Sequence, residues 1–320
     1  MSTTGKAMYN RLTLPPSLSP GDTIGLFSPA GPVRDAKHVE AGIRVLRDAG
    51  FLVEMFEQPQ SVDGYLAAPD DERVRNMHTL WADDRVKALM VIRGGFGCLR
   101  LVDKLDMELF HSRPKFLIGF SDVTVLHSGI RQYAGLVTIH GPMLTTLGMA
   151  DQQSVHYFFS VITGRWEEYA QLRNLEILQG GTGRGVLAGG NLTTLVHLIG
   201  TPWEIPWEDS ILVLEDTGES MYRLDRMLTQ LACSGKLDRL RGLILGGFDN
   251  GNEDRLENLR LQEQVWERVL ELLPHAPYPI WANFPVGHGR QNLALPMGIE
   301  ATMDGRAGVL RLHPESVTKA

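Results

Sequence analysis

Cysteine is nearly missing from this chain: 320 residues carry only two, Cys98 and Cys233, far apart and at no metal-ligand spacing. Both are expected to be buried thiols, and no metal or cofactor site is implied. Clustered positive charge is missing as well. The formal net charge is −7, and no Lys/Arg cluster offsets it. Nucleic acid is therefore excluded as the expected partner, because such binding draws most of its affinity from phosphate neutralisation. No apolar stretch is long enough to span a bilayer, and Met1 to Pro20 lacks the apolar centre of a signal peptide. The expectation is a cytoplasmic protein with no membrane partner. The 34 glycines and 17 prolines show no period and no low-complexity tract, which leaves any disorder at the ends.

What is present is an ordinary globular composition spread over a length that usually divides into two domains. From about residue 22 to 143, short apolar runs alternate with amphipathic ones. Ile24–Phe27, Phe51–Phe56, Leu89–Ile92, Phe116–Gly119 and Leu136–Ile139 read as strands. In the first helical pattern Val39, Ile43, Leu46 and Ala49 share a face, and Gly50 sits where a helix-ending glycine belongs. Strands alternating with such helices predict an α/β domain with a mostly parallel sheet flanked by helices over residues 1–150.

Residues 151–184 break the rhythm and read as a linker. Residues 185–320 resume it, with strands at Gly185–Ala188, Ile211–Leu214, Leu243–Leu245 and Pro279–Asn283. Helical patterns lie at Leu192–Ile199, Tyr222–Cys233 and Leu259–Leu273. This half is expected to form a smaller mixed α/β domain, with a cleft between the two.

Lys115 to Asp122 reads as a buried strand that stops at a serine, and a helical run, Val123 to Tyr133, follows at once. Such a turn pushes Ser121 clear of the sheet, with the first amides of the helix pointing toward any oxyanion beside it. It is an incomplete nucleophile elbow, since Val123 stands where the second glycine would be. Glu215 follows the apolar run Ile211–Leu214, and His288 lies in the turn Pro285-Val-Gly-His-Gly289. A serine needs an imidazole to take its proton, and the imidazole needs a carboxylate to fix its tautomer. Taken singly, Ser121 could cap a helix, Glu215 could pair with Arg223, and His288 could be a loop histidine. Together they supply the three groups of one mechanism at three strand ends.

The turn Arg93-Gly-Gly-Phe-Gly97 can present backbone N–H groups to an anion, although it lacks the spacing of a nucleotide fingerprint. Gly189-Gly-Asn-Leu-Thr193 reads as a close-packed strand-to-helix turn. The pair Asp22 and Asp216 and the group Asp249, Glu253 and Asp254 could suggest a metal, but the group lies in a polar loop and reads as solvated.

Set in order along the chain, these motifs resemble the LD-carboxypeptidase family, serine peptidases of the muramoyltetrapeptide carboxypeptidase type. The likeness runs from Gly21-Asp-Thr-Ile-Gly-Leu-Phe-Ser-Pro-Ala30 through Gly64-Tyr-Leu-Ala67, Arg73 and Arg93-Gly-Gly-Phe-Gly97 to Ile118-Gly-Phe-Ser-Asp122. It continues with His140-Gly-Pro142, Gly189-Gly-Asn-Leu192, Leu214-Glu-Asp216, Tyr222-Arg223 and Gly287-His288. The resemblance implies that Ser121 is the nucleophile, His288 the general base and then acid, and Glu215 the orienting carboxylate. It also implies an oxyanion hole from backbone amides near Gly95 and at Asp122, and a homodimer. Tyr65 and Arg93 are candidates for substrate contacts. Glu219, four residues beyond Glu215, could rival it as the acid, and Ala68 stands where many relatives have glycine.

The reaction this implies is hydrolysis of the amide between the L-centre of diaminopimelate and a terminal D-alanine in a murein tetrapeptide during cell-wall recycling. One alternative is the microcin-C immunity type, which cleaves aminoacyl-nucleotide analogues and carries a Thr-Ser-Glu-Glu-Lys-Pro run after its acid. Here the corresponding run is Asp216-Thr-Gly-Glu-Ser-Met221. A second alternative is a non-catalytic fragment-binding module in which Ser121 merely caps a helix.

Overall fold

The computed structural model describes residues 11–55, 64–166, 168–252 and 254–320. In chain order, its first strands are β1 (Thr13–Leu14), β2 (Thr23–Phe27), β3 (Leu52–Met55), β4 (Val86–Val91), β5 (Phe116–Gly119) and β6 (Thr138–His140). Among them lie α1 (Ala36–Asp48), α2 (Asp70–Ala82), α3 (Met107–Ser112), α4 (Thr124–Tyr133), α5 (Leu144–Leu147) and α6 (Gln152–Ile162). There follow β7 (Glu176–Gln179), β8 (Thr182–Asn191), α7 (Leu192–Leu198), β9 (Ser210–Thr217), α8 (Met221–Cys233), β10 (Gly242–Asp249) and α9 (Arg255–Leu272). The chain ends with β11 (Ile280–Ala282), β12 (Leu295–Met297), β13 (Glu300–Asp304), β14 (Val309–His313) and β15 (Thr318–Lys319).

Two compact units result. The first takes the described residues up to Arg165 together with Leu293–Gly298 and Val317–Ala320. Its six-stranded sheet has the order β12-β6-β5-β4-β2-β3, parallel throughout except for β12. Because those strands run one way, the loops after β2, β4 and β5 leave from the same edge. That edge is where ligands collect in open parallel sheets. The central strands are apolar, as in parallel sheets covered on both faces; β5 is buried at every position, whereas the edge strand β3 is largely exposed.

Helix α1 shows how the sequence sets these crossovers. The Asp35 side chain accepts from Lys37 N, and the far end closes with Phe51 N donating to Leu46 O and Gly50 N to Arg47 O. This is the glycine-ended cap expected from Gly50, whose φ is +89°. The buried face is Val39, Gly42 and Leu46, while Ile43 and Ala49 are only half-buried. The shift toward Gly42 has a steric cause: a Cβ there would lie 2.1 Å from Leu144 O, so α1 rides directly on α5.

The second unit comprises the described residues of Trp166–Asn292 and Ile299–Ser316. Its seven-stranded sheet has the order β14-β13-β8-β9-β10-β11-β7, with β8 to β11 parallel and the outer strands antiparallel. Leu212, Leu214, Leu243 and Leu245 pack with Leu224 and Leu228 of α8 and Val265 of α9 to form its core.

The expected mixed α/β class holds, and three differences from the sequence reading stand out. Residues 151–184 are largely regular structure rather than linker: α6 belongs to the first unit, Phe159 stacks on Phe51 with ring centres 5.9 Å apart, and β7 pairs with β11. The 185–320 boundary is also crossed, because Leu293–Gly298 supplies β12 to the first sheet, beside β6. Strand pairing between distant segments leaves no local signal. Finally, Cys98 is buried but Cys233, the last residue of α8, is exposed. Of the strand expected at Phe51–Phe56, Phe56 lies outside the described residues.

Candidate functional site

Ser121 stands directly behind β5, and the backbone there is unusual. Its φ is +66°, a left-handed conformation that L side chains other than Asn and Asp rarely adopt. Helix α4 begins at Thr124 with Val123 at the N-cap position, so Ser121 does not occupy the capping position of that helix. A single turn of 3-10 helix, Ser121–Val123, intervenes. The serine is thus the pivot of a tight strand-to-helix turn, the backbone arrangement that exposes a hydroxyl.

The glycine turn of the first unit packs against it. A Cβ on Gly94 would sit 3.3 Å from Ser121 Oγ. The turn is fixed at several points: Gly31 N donates to Gly94 O at 3.1 Å, and Arg93 Nη1 donates to Pro32 O at 2.9 Å. The Asp122 carboxylate accepts from Cys98 N at 2.8 Å and from Gly97 N. Burial pushes the Asp122 carboxyl up, and those backbone donors partly offset it. Among the described residues the N–H groups of Gly94 and Gly95 have no hydrogen-bond partner, so the turn keeps backbone donors in reserve beside the serine. Tyr65 and Phe96 are exposed, with ring centres 5.9 Å apart.

In the second unit Glu215 and His288 meet. Glu215 lies in β9, side by side with Asn191 at the end of β8, and is fully buried. Its Oε2 lies 2.7 Å from His288 Nδ1. A carboxylate can only accept, so Nδ1 carries the proton and Nε2 keeps its lone pair, as a general base requires. Burial works against the imidazolium, but the charge and hydrogen bond of Glu215, with smaller contributions from Asp249 and Asp216, together raise the His288 pKa above its ordinary value. The histidine loop is held by Gly287 N donating to Asn292 Oδ1 at 3.2 Å. Glu219 pairs with Arg223 instead, at 3.3 Å, which separates it from Glu215 as the partner of the histidine.

The other acidic candidates have structural partners. Asp216 accepts from Asn191 Nδ2, Thr193 N and Oγ1, and Thr217 N, which joins β9 to the start of α7. Asp22 accepts from Ser19 N, and Asp254 caps α9 by accepting from Leu256 N and Glu257 N. Glu253 lies outside the described residues. Asp249, read from sequence as solvated, accepts from Thr217 Oγ1 and Gly251 N and adds its charge to the field at His288. Sequence reading missed that role, because only the pairing of β9 with β10 brings the two strand ends together. The Gly189–Thr193 segment is the close-packed turn expected: a Cβ on Gly189 would lie 2.1 Å from Val213 O, and Asn191 caps α7.

Comparison with known proteins gives the family. The family model described as the LD-carboxypeptidase N-terminal domain matches residues 24–141, and that of the LD-carboxypeptidase C-terminal domain matches residues 184–303. The chain is 36% identical to the probable murein peptide carboxypeptidase of Bacillus subtilis, over 93% of this chain and 94% of that one. The solved muramoyltetrapeptide carboxypeptidase of Oxalobacter formigenes is 29% identical, with a TM-score of 0.76 over 91% of this chain and 97% of that one. The structure of MccF in complex with glutamyl sulfamoyl guanosine shares the fold, with a TM-score of 0.84 at 24% identity over 96% and 99% of the two chains. The chain belongs to the LD-carboxypeptidase family of serine carboxypeptidases.

Proposed function

We propose that this enzyme hydrolyses the amide between the L-centre of diaminopimelate and the terminal D-alanine of murein tetrapeptides, with Ser121, His288 and Glu215 as its triad. The observation that carries the proposal is the buried Glu215 bound to His288 Nδ1, which fixes the tautomer with its lone pair on Nε2, the form a base requires. In this reading His288 Nε2 takes the proton of Ser121 as Oγ attacks the scissile carbonyl. Backbone amides near Gly95 and at Asp122 hold the developing oxyanion. The proton then passes to the leaving amine of D-alanine, and a water activated by the same histidine cleaves the acyl-enzyme ester. Oxyanion donors of this kind are commonly worth about 2.7–4 kcal/mol each. Tyr65 and Arg93, which flank the glycine turn, are proposed to contact the peptide.

The relative from Bacillus subtilis and the solved enzyme from Oxalobacter formigenes support the murein substrate by their names. A cytoplasmic recycling role and a homodimer belong to the same proposal. Release of D-alanine from purified tetrapeptide by wild type and by Ser121→Ala tests it. Undiminished release by a folded Ser121→Ala would rule out the mechanism. Faster turnover of an aminoacyl-sulfamoyl adenosine than of the tetrapeptide would move the enzyme to the microcin-immunity type. Light scattering during size-exclusion chromatography reads the oligomeric state.

A further inference from the structure

Arg73 is a charged side chain only 1% exposed, and the proposed mechanism does not use it. It lies in α2, where it pairs with Asp70. Its Nε donates to Ala68 O at 3.0 Å, and Nη1 donates to Gly97 O at 3.2 Å and to Pro29 O. One guanidinium therefore binds three carbonyls from three separate segments: the loop after β2, the 64–68 segment and the glycine turn after β4. Asp70 completes the arrangement by binding both Arg73 and Arg100.

The contact with Gly97 is close. At that position φ is +138°, and a Cβ would lie 2.6 Å from Arg73 Nη1. The Gly97 residue is gripped from both sides, its carbonyl by Arg73 and its N–H by the carboxylate of Asp122, the residue next to the nucleophile. Arg73 also holds Pro29 O, which precedes the Ala30 and Gly31 contacts to Ala67 and Gly94.

We propose that Arg73 is a positioning residue, setting the backbone amides of the 93–97 turn against Ser121 so that they can receive the oxyanion. The proposal rests on the serine mechanism above. A planar fork with five donors can serve three carbonyls and a carboxylate at once, whereas a lysine, with three donors at one point, cannot. Substituting it should therefore loosen the turn while leaving the side chains of Ser121 and His288 in place.

The test compares Arg73→Lys with wild type and Ser121→Ala on a murein tetrapeptide, with folding checked by circular dichroism and thermal melting. The expected result for a folded Arg73→Lys is a kcat lowered about 100-fold, in the range seen on loss of one oxyanion donor. KM should stay within about threefold, and the acidic limb of the pH profile should not move. A lost structural contact alone would lower the melting temperature without this split between kcat and KM. If Arg73→Lys does not fold, Asp70→Asn decides the matter, because it frees the guanidinium from its anchor at a partly exposed site. It should lower kcat several-fold at unchanged KM. A folded variant of either kind with wild-type kcat overturns the proposal and leaves the triad standing. Undiminished activity of Ser121→Ala overturns the triad itself.

Discussion

Removing His288 should leave Glu215 as a charge with nowhere to go. The carboxylate is fully buried; His288 Nδ1 binds Oε2, and Oε1 has no hydrogen-bond partner among the described residues. Breaking a buried pair by deleting one partner costs about 3–5 kcal/mol. The His288 side chain is 20% exposed, so water entering the vacated space solvates the carboxylate in part. The lower end, about 3 kcal/mol, is the expected cost. His288→Ala alone does not isolate it, because packing is lost as well. The decisive comparison is His288→Ala against His288→Ala/Glu215→Gln, since the amide keeps the shape of the carboxyl but carries no charge. In urea unfolding at pH 8 the double variant should be the more stable, by about 3 kcal/mol. Equal stability of the two variants at pH 8 would show that Glu215 is not held as a buried charge, and would refute the electrostatic reading of the site.

Because Glu215 raises the pKa of His288, and the proposed base must be neutral to act, kcat/KM should fall as the pH drops through a value above the ordinary 6.5. Glu215→Gln should move that limb to lower pH and cut kcat about 10⁴-fold, and an unmoved limb would count against the pairing. The same raised value means that the pair stabilises the fold below pH 6.5 and that this contribution fades as the pH rises through the raised pKa, which a stability-against-pH series would read. Ser121→Gly should abolish turnover yet stabilise the fold by about 1 kcal/mol in urea unfolding, since it relieves the left-handed backbone at φ +66°. Gly189→Ala should destabilise the second unit by more than about 3 kcal/mol by the same measurement, because its Cβ would meet Val213 O at 2.1 Å and φ is +119°.

Much of the site was legible because its parts are local. The apolar run ending at Gly119 fixes a buried strand, and the helical pattern after Val123 forces the chain to turn at Ser121. The Gly-Gly-Phe-Gly run could hardly be other than a turn. Glu215 is equally plain as a charge at the end of four consecutive apolar residues. The assignments that failed depend on distant partners. Segment 151–184 looks irregular by composition, but β7 exists because β11 offers it an edge, and β12 because β6 does.

The sequence by itself therefore determined the alternation of strand and helix, the turn at Ser121 and the glycine turn, since each follows from periodicity or backbone freedom within a dozen residues; Glu215, expected at a strand end, lies inside β9, and His288 lies in a turn well beyond β11. Only the tertiary structure decided that Glu215 rather than Glu219 faces His288, that Asp249 adds to its field, and that Arg73 holds three loops at once. Those are outcomes of parallel strands ending side by side and of burial. A charge removed from water must find its partners wherever the fold brings them, however far away they lie along the chain.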